Sequence, residues 1–234
     1  MDTRDETVPL TGGSMDMPLW LPEAGRGPAL LLLQEVWGVG PYIRDVAADL
    51  AALGYVVGAP DLFWRLQPHW QADHDDEGLA RSIELVGRFD FKQGVADASA
   101  ALARLRGLPE VTGGAGVFGI CLGGSIGFLL AARDAPEAVV SWYGSAVPDL
   151  TDRLDSISTP LLCAFGGRDS YIPRDRVAEV ERAAEGRPGV EVRVFEEAGH
   201  AFHNRFAPRF HDPEAGPVLW DLSTTFLSRH LPVP

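Results

Sequence analysis

"GVFGICLGGSIGFLLAA", residues 116–132, opens as an apolar strand and closes as an apolar helix. Between the two, Gly119-Ile120-Cys121-Leu122-Gly123 leaves space for a sharp turn with a thiol at its tip. Glycines flank such a turn because its strained backbone brings neighbouring segments too close for side chains. The helix that starts beneath Cys121 lends it positive potential, which favours a thiolate. In this strand-turn-helix setting Cys121 is a candidate nucleophile; the alternative is a buried structural cysteine.

Outward from this turn, β-rich runs at 28–33, 55–60, 138–144, 160–166 and 190–196 join the one at 114–119. They alternate with helical patterns, the signature of crossover units around a mainly parallel sheet, and their apolar content predicts central strands buried on both faces. "YIRDVAADLAALG", "FKQGVADASAALARLRG" and "RDRVAEVERAAEG" read as helices that stop at Gly54, Gly107 and Gly186. A last helix over 214–230 carries Val218, Leu219, Leu222, Phe226 and Leu227 on one face, a spacing that docks it onto the sheet. The first 25 residues add one or two weak strands, "VPL" and "MPLW", with a turn at Gly12-Gly13. Residues 61–78 begin "DLFWRLQPHWQADHDDE", without period, and read as a long loop over one edge that borders an active site.

The chain has 234 residues, 46% hydrophobic and 23% charged, which fits one α/β domain over residues 1–234. Its 20 basic and 33 acidic residues give a net charge of −13 with no basic block, so nucleic acid is disfavoured as a partner. The charged start lacks a signal core and the apolar runs are too short for a bilayer, so a cytoplasmic protein with no membrane partner is expected. Cys121 and Cys163 are the only cysteines and suit reduced thiols; Cys163, inside "PLLCAFG", reads as core. Neither a metal nor an organic cofactor is implied.

Asp169, in "AFGGRDSYIP", and His200, in "VFEEAGHAFHN", each lie just past a buried strand. Strand ends on one edge of a parallel sheet bring distant loops together, so Cys121, Asp169 and His200 can converge despite their separation. His200 then pairs with the thiol and Asp169 fixes its tautomer. Asp169 alone also fits a turn cap, and His203 and His211 share the segment of His200, which has the short glycine-bearing loop after its strand. Glu35 directly follows the run "ALLLLQ", where a charge is costly unless paired or used. It either meets a nearby arginine or hydrogen-bonds the thiol. The N–H groups of Leu122 and Val36 are the candidates for an oxyanion hole.

Five stretches, "GICLGG", "LLQEVWGV", "APDLFWR", "GGRDSYIP" and "EEAGHAFHN", appear in the order of the dienelactone hydrolase family, which the chain resembles from about residue 28 to its C-terminus. The resemblance implies an α/β-hydrolase fold, with a mostly parallel sheet of about seven to eight strands and helices on both faces. It implies a Cys121, His200, Asp169 triad, and a Glu35 that holds the resting thiol and takes its proton when substrate binds. Tyr143 matches a substrate-contacting tyrosine of the family. The family's two carboxylate-binding arginines align nearest Leu79 and Asn204, so Arg81 and Arg205 serve through local insertions or the substrate lacks that carboxylate.

A cysteine has an ordinary pKa of about 8.5, so a tetrahedral intermediate with a plain alkyl ester or amide returns mostly to starting material. Enol lactones, aryl esters and thioesters carry leaving groups that compete with the thiolate. The expected substrate is therefore a small enol lactone or a similarly activated ester. A broader esterase or thioesterase, with a pocket lined by Trp64, Tyr143 and Phe202, is the alternative. Either enzyme is expected as a monomer or a homodimer.

Overall fold

The computed structural model describes residues 2–234. The chain begins with a hairpin, β1 (Asp2–Leu10) and β2 (Gly13–Leu21), paired antiparallel from Asp2 opposite Leu21 to Leu10 opposite Gly13. Gly12 and Gly13 take φ values of 92° and 152°, open to glycine and strained for other residues. The turn lies where it was expected, but both strands run nine residues, well beyond "VPL" and "MPLW". Met15, Met17 and Leu19 of β2 point inward, while polar β1 is exposed and is held by its pairing with β2. Backbone pairing, which leaves no apolar pattern, made β1 hard to read.

Six further strands follow: β3 (Gly27–Leu33), β4 (Val56–Gly58), β5 (Val111–Ile120), β6 (Val139–Trp142), β7 (Leu161–Gly166) and β8 (Val190–Phe195). Their order across the sheet is β1-β2-β4-β3-β5-β6-β7-β8, with β3 to β8 mutually parallel and the hairpin antiparallel. Six helices flank it: α1 (Pro41–Ala52), α2 (Asp76–Val86), α3 (Phe91–Arg106), α4 (Leu122–Arg133), α5 (Arg174–Ala184) and α6 (Ala215–His230). This is an α/β fold with a mixed, mostly parallel sheet. Among the described residues no helix is long and apolar enough to cross a membrane.

Three expectations change. First, β3, β6 and β7 are buried along their length, but β8 is an edge strand and only half-buried, consistent with Glu191 and Arg193 in its sequence. Second, Val218 is 57% exposed and Leu222 half-buried, so α6 packs through Leu219, Ser223, Phe226 and Leu227; Ser223 turns inward because its Oγ accepts from Trp142 Nε1 at 2.8 Å. Third, the loop that begins at Asp61 ends at Asp75, whose side chain accepts from the Gly78 N–H at 2.7 Å and starts α2. That loop packs mid-sheet against the chain after β3: Gly38 bridges to Gln71, and a Cβ on Gly38 would lie 1.8 Å from the Trp70 carbonyl oxygen.

The β5-to-α4 turn sits centrally. Cys121 has φ 54° and ψ −111°, a conformation that costs a non-glycine residue about 1–3 kcal/mol and must be held by its surroundings. A Cβ on Gly119 would meet the Gly123 carbonyl oxygen at 2.1 Å, and one on Gly123 would meet the Leu33 carbonyl oxygen at 2.2 Å. Both obstacles are backbone and cannot rotate away. In a urea titration Gly123→Ala is therefore expected to lower the unfolding free energy by about 2 kcal/mol or more. Gly107→Ala, where the nearest atom is 3.5 Å away and φ is −86°, should be neutral or slightly stabilising in the same urea titration.

Candidate active site

Three strand ends and the turn assemble the site. After β3 the chain passes Gln34, whose carbonyl accepts from the Gly123 N–H at 3.0 Å and whose side-chain Oε1 accepts from the Leu62 N–H at 3.1 Å. These bonds tie the loop after β3 to the turn on one side and to the aromatic loop on the other. Beyond β7, Asp169 caps its own turn: Oδ1 accepts from the N–H groups of Tyr171 and Ile172 at 2.7 and 3.1 Å. Oδ2 meets His200 Nδ1 at 2.6 Å, so one carboxylate serves both as turn cap and as histidine partner. Beyond β8, His200 Nε2 lies 3.3 Å from Cys121 Sγ. The rings of Tyr143 and Tyr171 each stand 5.0 Å from the His200 ring and restrict its rotation.

Charge in this row follows from burial and neighbours. Burial pulls the His200 pKa down, but Cys121 and Asp169 more than offset it, and the value rises from 6.5 to about 10. His200 is thus held as an imidazolium next to sulfur. His203 goes the opposite way: burial, then Arg205 and His211, lower it to about 4, and its Nδ1 bonds to the Tyr42 hydroxyl at 3.0 Å. His211 lies with His203 and Arg205 in a separate cleft. Cys163 is fully buried in β7, where burial pushes its thiol up to about 12.

Glu35 is 1% exposed, and burial raises its carboxyl pKa against the opposing pull of His74 and Asn204. Its Oε1 accepts from Asn204 Nδ2 at 3.0 Å and lies 3.3 Å from His74 Nε2, while Oε2 is buried without a partner. Among the described residues neither an arginine nor the thiol hydrogen-bonds it; the sulfur rests against His200, at which the turn aims it. His74 gave no sign in the sequence, since the aperiodic loop hides which of its side chains point inward.

A cleft of about 130 Å³ opens above the sulfur, lined by Glu35, Val36, Cys121, Leu122 and His200 and walled by apolar side chains. Among the described residues, neither the Leu122 nor the Val36 N–H bonds a backbone carbonyl; Leu122 is in the first turn of α4, where donors lack helical partners. The wall is formed by Trp37, Tyr171, Phe210 and the α2 face of Leu79, Ile83 and Val86. That face has helical spacing of three and four residues, a pattern present in the sequence but masked by the loop before it.

None of the five expected substrate contacts is among the residues that line this cleft. Tyr143 is fully buried behind the His200 ring, and Phe202 packs in the core against Tyr143 and Phe195. Trp64 donates its Nε1–H to Asp97 at 2.9 Å, beneath Arg65. Arg81 projects from α2 toward Glu77 and the Trp70 ring, 3.8 and 5.3 Å away, and Arg205 pairs with Asp45 and Asp49 of α1. Neither guanidinium lines the cleft, because each finds its countercharge on a helix surface.

Residues 15–231 match the dienelactone hydrolase family. The chain is 32% identical over 223 residues to the carboxymethylenebutenolidase of Pseudomonas sp. strain P51, covering 95% of this chain and 93% of that one. With the carboxymethylenebutenolidase of Pseudomonas putida it shares 31% identity over 182 residues, 77% of each chain. A candidate dienelactone hydrolase from Klebsiella pneumoniae superposes with a TM-score of 0.84 at 26% identity, over 97% of this chain and 98% of that one.

Removing the sulfur tests the source of the His200 shift. In wild type the His200 ring should remain protonated until about pH 10. In Cys121→Ser, with no sulfur beside it, NMR titration of the ring should give a value below that; an unmoved value would assign the shift to Asp169 alone.

Proposed function

The chain belongs to the dienelactone hydrolase family and is a carboxymethylenebutenolidase-type hydrolase, and we propose that it cleaves an activated lactone or ester through a Cys121, His200, Asp169 triad. The observation that carries this reading is the contact row: Cys121 Sγ 3.3 Å from His200 Nε2, and His200 Nδ1 2.6 Å from Asp169. Cys121, at a φ of 54°, and His200 both line the cleft.

The proton inventory of such a row works in both halves of the reaction. The thiolate attacks the carbonyl carbon, and the displaced electron pair forms an oxyanion that the Leu122 and Val36 N–H groups meet. Collapse breaks the bond to the leaving oxygen, which departs as an enolate or aryloxide or takes the proton of His200, and a thioester on Cys121 remains. Acylation also removes the negative charge that helps hold the His200 pKa near 10, leaving burial to pull it down against Asp169. The neutral imidazole then accepts a proton from water as the oxygen attacks the thioester. Expulsion of thiolate releases the acid and restores the ion pair.

The walls favour an uncharged activated ester over a carboxylated dienelactone. Among the described residues that line the cleft, the ionisable groups are Glu35, Cys121, Tyr171 and His200, and no lysine or arginine is among them. A substrate carboxylate would be desolvated there with no countercharge other than His200, which is already paired with Asp169. A cavity of about 130 Å³ has room for an acyl group about the size of benzene.

Cys121→Ala should lower kcat/KM for an aryl ester by about 10⁴-fold or more; retained turnover would overturn the nucleophile. With wild type, an uncharged phenyl ester should be turned over with a higher kcat/KM than a carboxylated dienelactone. The opposite order would point to a guanidinium that reaches the cleft once substrate binds.

A further inference from the structure

His74 lies in the aromatic loop, far in sequence from every group of the proposed triad, yet its imidazole is buried against Glu35. Its ring is backed by Trp37, 4.7 Å between centroids, and edged by Tyr42 and Phe206 at 6.5 and 6.2 Å. The ring is thus clamped on three sides, with Nε2 turned to Glu35 Oε1. The same oxygen accepts from the Asn204 amide. An oxygen that takes two donors is the unprotonated oxygen of the carboxyl group, which leaves Oε2, buried and unpartnered, as the remaining site for a proton.

We propose that His74 is a positioning residue whose Nε2–H holds Glu35 as a carboxylate in the wall of the cleft and so sustains the thiolate–imidazolium pair of Cys121 and His200. The inference rests on the assignment of Cys121 as nucleophile. Burial favours the neutral carboxyl; the two donors favour the ion. An ionised Glu35 in turn favours a charged His200 nearby, and the charged ring presents its Nε2–H to the sulfur. Without the His74 donor, Glu35 protonates more readily, His200 loses that support and Cys121 reacts more slowly at neutral pH.

Around the pair, Tyr171 packs its ring 5.0 Å from His200. Tyr42 from α1 and Tyr143 after β6 face Glu35, and burial holds both phenols well above their ordinary pKa, hence neutral. Asn204 does not titrate. On the loop side Asp75 caps α2, and Asp76 points outward to Arg209. His74 immediately precedes that cap, so the same contact pins the start of the apolar α2 wall to the loop after β3.

The test is the pH dependence of Cys121 alkylation by iodoacetamide, read by mass spectrometry, in wild type, His74→Phe and His74→Gln. Phenylalanine fills the space without a donor; glutamine restores an N–H at similar reach. The rising limb should move up by about one pH unit in His74→Phe, which is about tenfold slower labelling at fixed pH, and return most of the way in His74→Gln. In a Glu35→Gln background His74→Phe should have no further effect. Equal shifts in both His74 variants, no shift in either, or a shift that persists without the Glu35 carboxylate would overturn the proposal. If His74→Phe does not fold, His74→Asn, whose amide falls short of Glu35, takes its place. A wild-type Cys121 that does not label would instead overturn the nucleophile assignment.

Discussion

The Gly123 N–H bonds the Gln34 carbonyl at 3.0 Å, across a gap so narrow that a Cβ on Gly123 would sit 2.2 Å from the Leu33 carbonyl oxygen. This close approach of two backbones sets the distance between the end of β3 and the start of α4. Everything near the sulfur is measured from it: the loop that carries Glu35 and Val36, the left-handed cysteine, and the first N–H groups of the helix. A wider gap would leave Cys121 free to relax from its φ of 54° and turn the sulfur from His200. The strain at Cys121 persists because rigid neighbours on both sides admit no other path.

On that frame, two opposed balances of burial and charge stand side by side. His200 is buried and still raised to about 10, since sulfur and Asp169 outweigh the desolvation that would neutralise it. His203, three residues later and equally enclosed, has no carboxylate partner and falls to about 4. Two histidines in one loop thus differ in charge at neutral pH because of what each faces. Glu35 is a third case, in which His74 and Asn204 act against complete burial.

Much of the architecture was legible along the chain, and the failures have physical causes. Strands buried on both faces announce themselves by continuous apolar runs, as β3, β6 and β7 do. β1 is stabilised by backbone pairing that a polar sequence does not advertise, and edge strand β8 has neighbours on one side only. The positions of Cys121, Asp169 and His200 were legible because strand ends of a parallel sheet share one edge. The lining of the cleft was not. Phe202 and Trp64 are large and sequentially near the site, but the pleat and the loop turn them into the core and toward Asp97.

Local chemistry along the chain was enough for the strand-turn-helix, the thiol at its tip and the order of acid and base, since each depends on residue type and short spacing. Whether an arginine reaches the cleft, which side chains wall it and what holds Glu35 depend on contacts between segments far apart in sequence, 39 and 169 residues for the two that hold Glu35. Such contacts are chosen by packing and countercharge in three dimensions: Asp45 and Asp49 draw Arg205 away, and the fold of an aperiodic loop brings His74 to a carboxylate. No pattern of neighbouring residues encodes either choice.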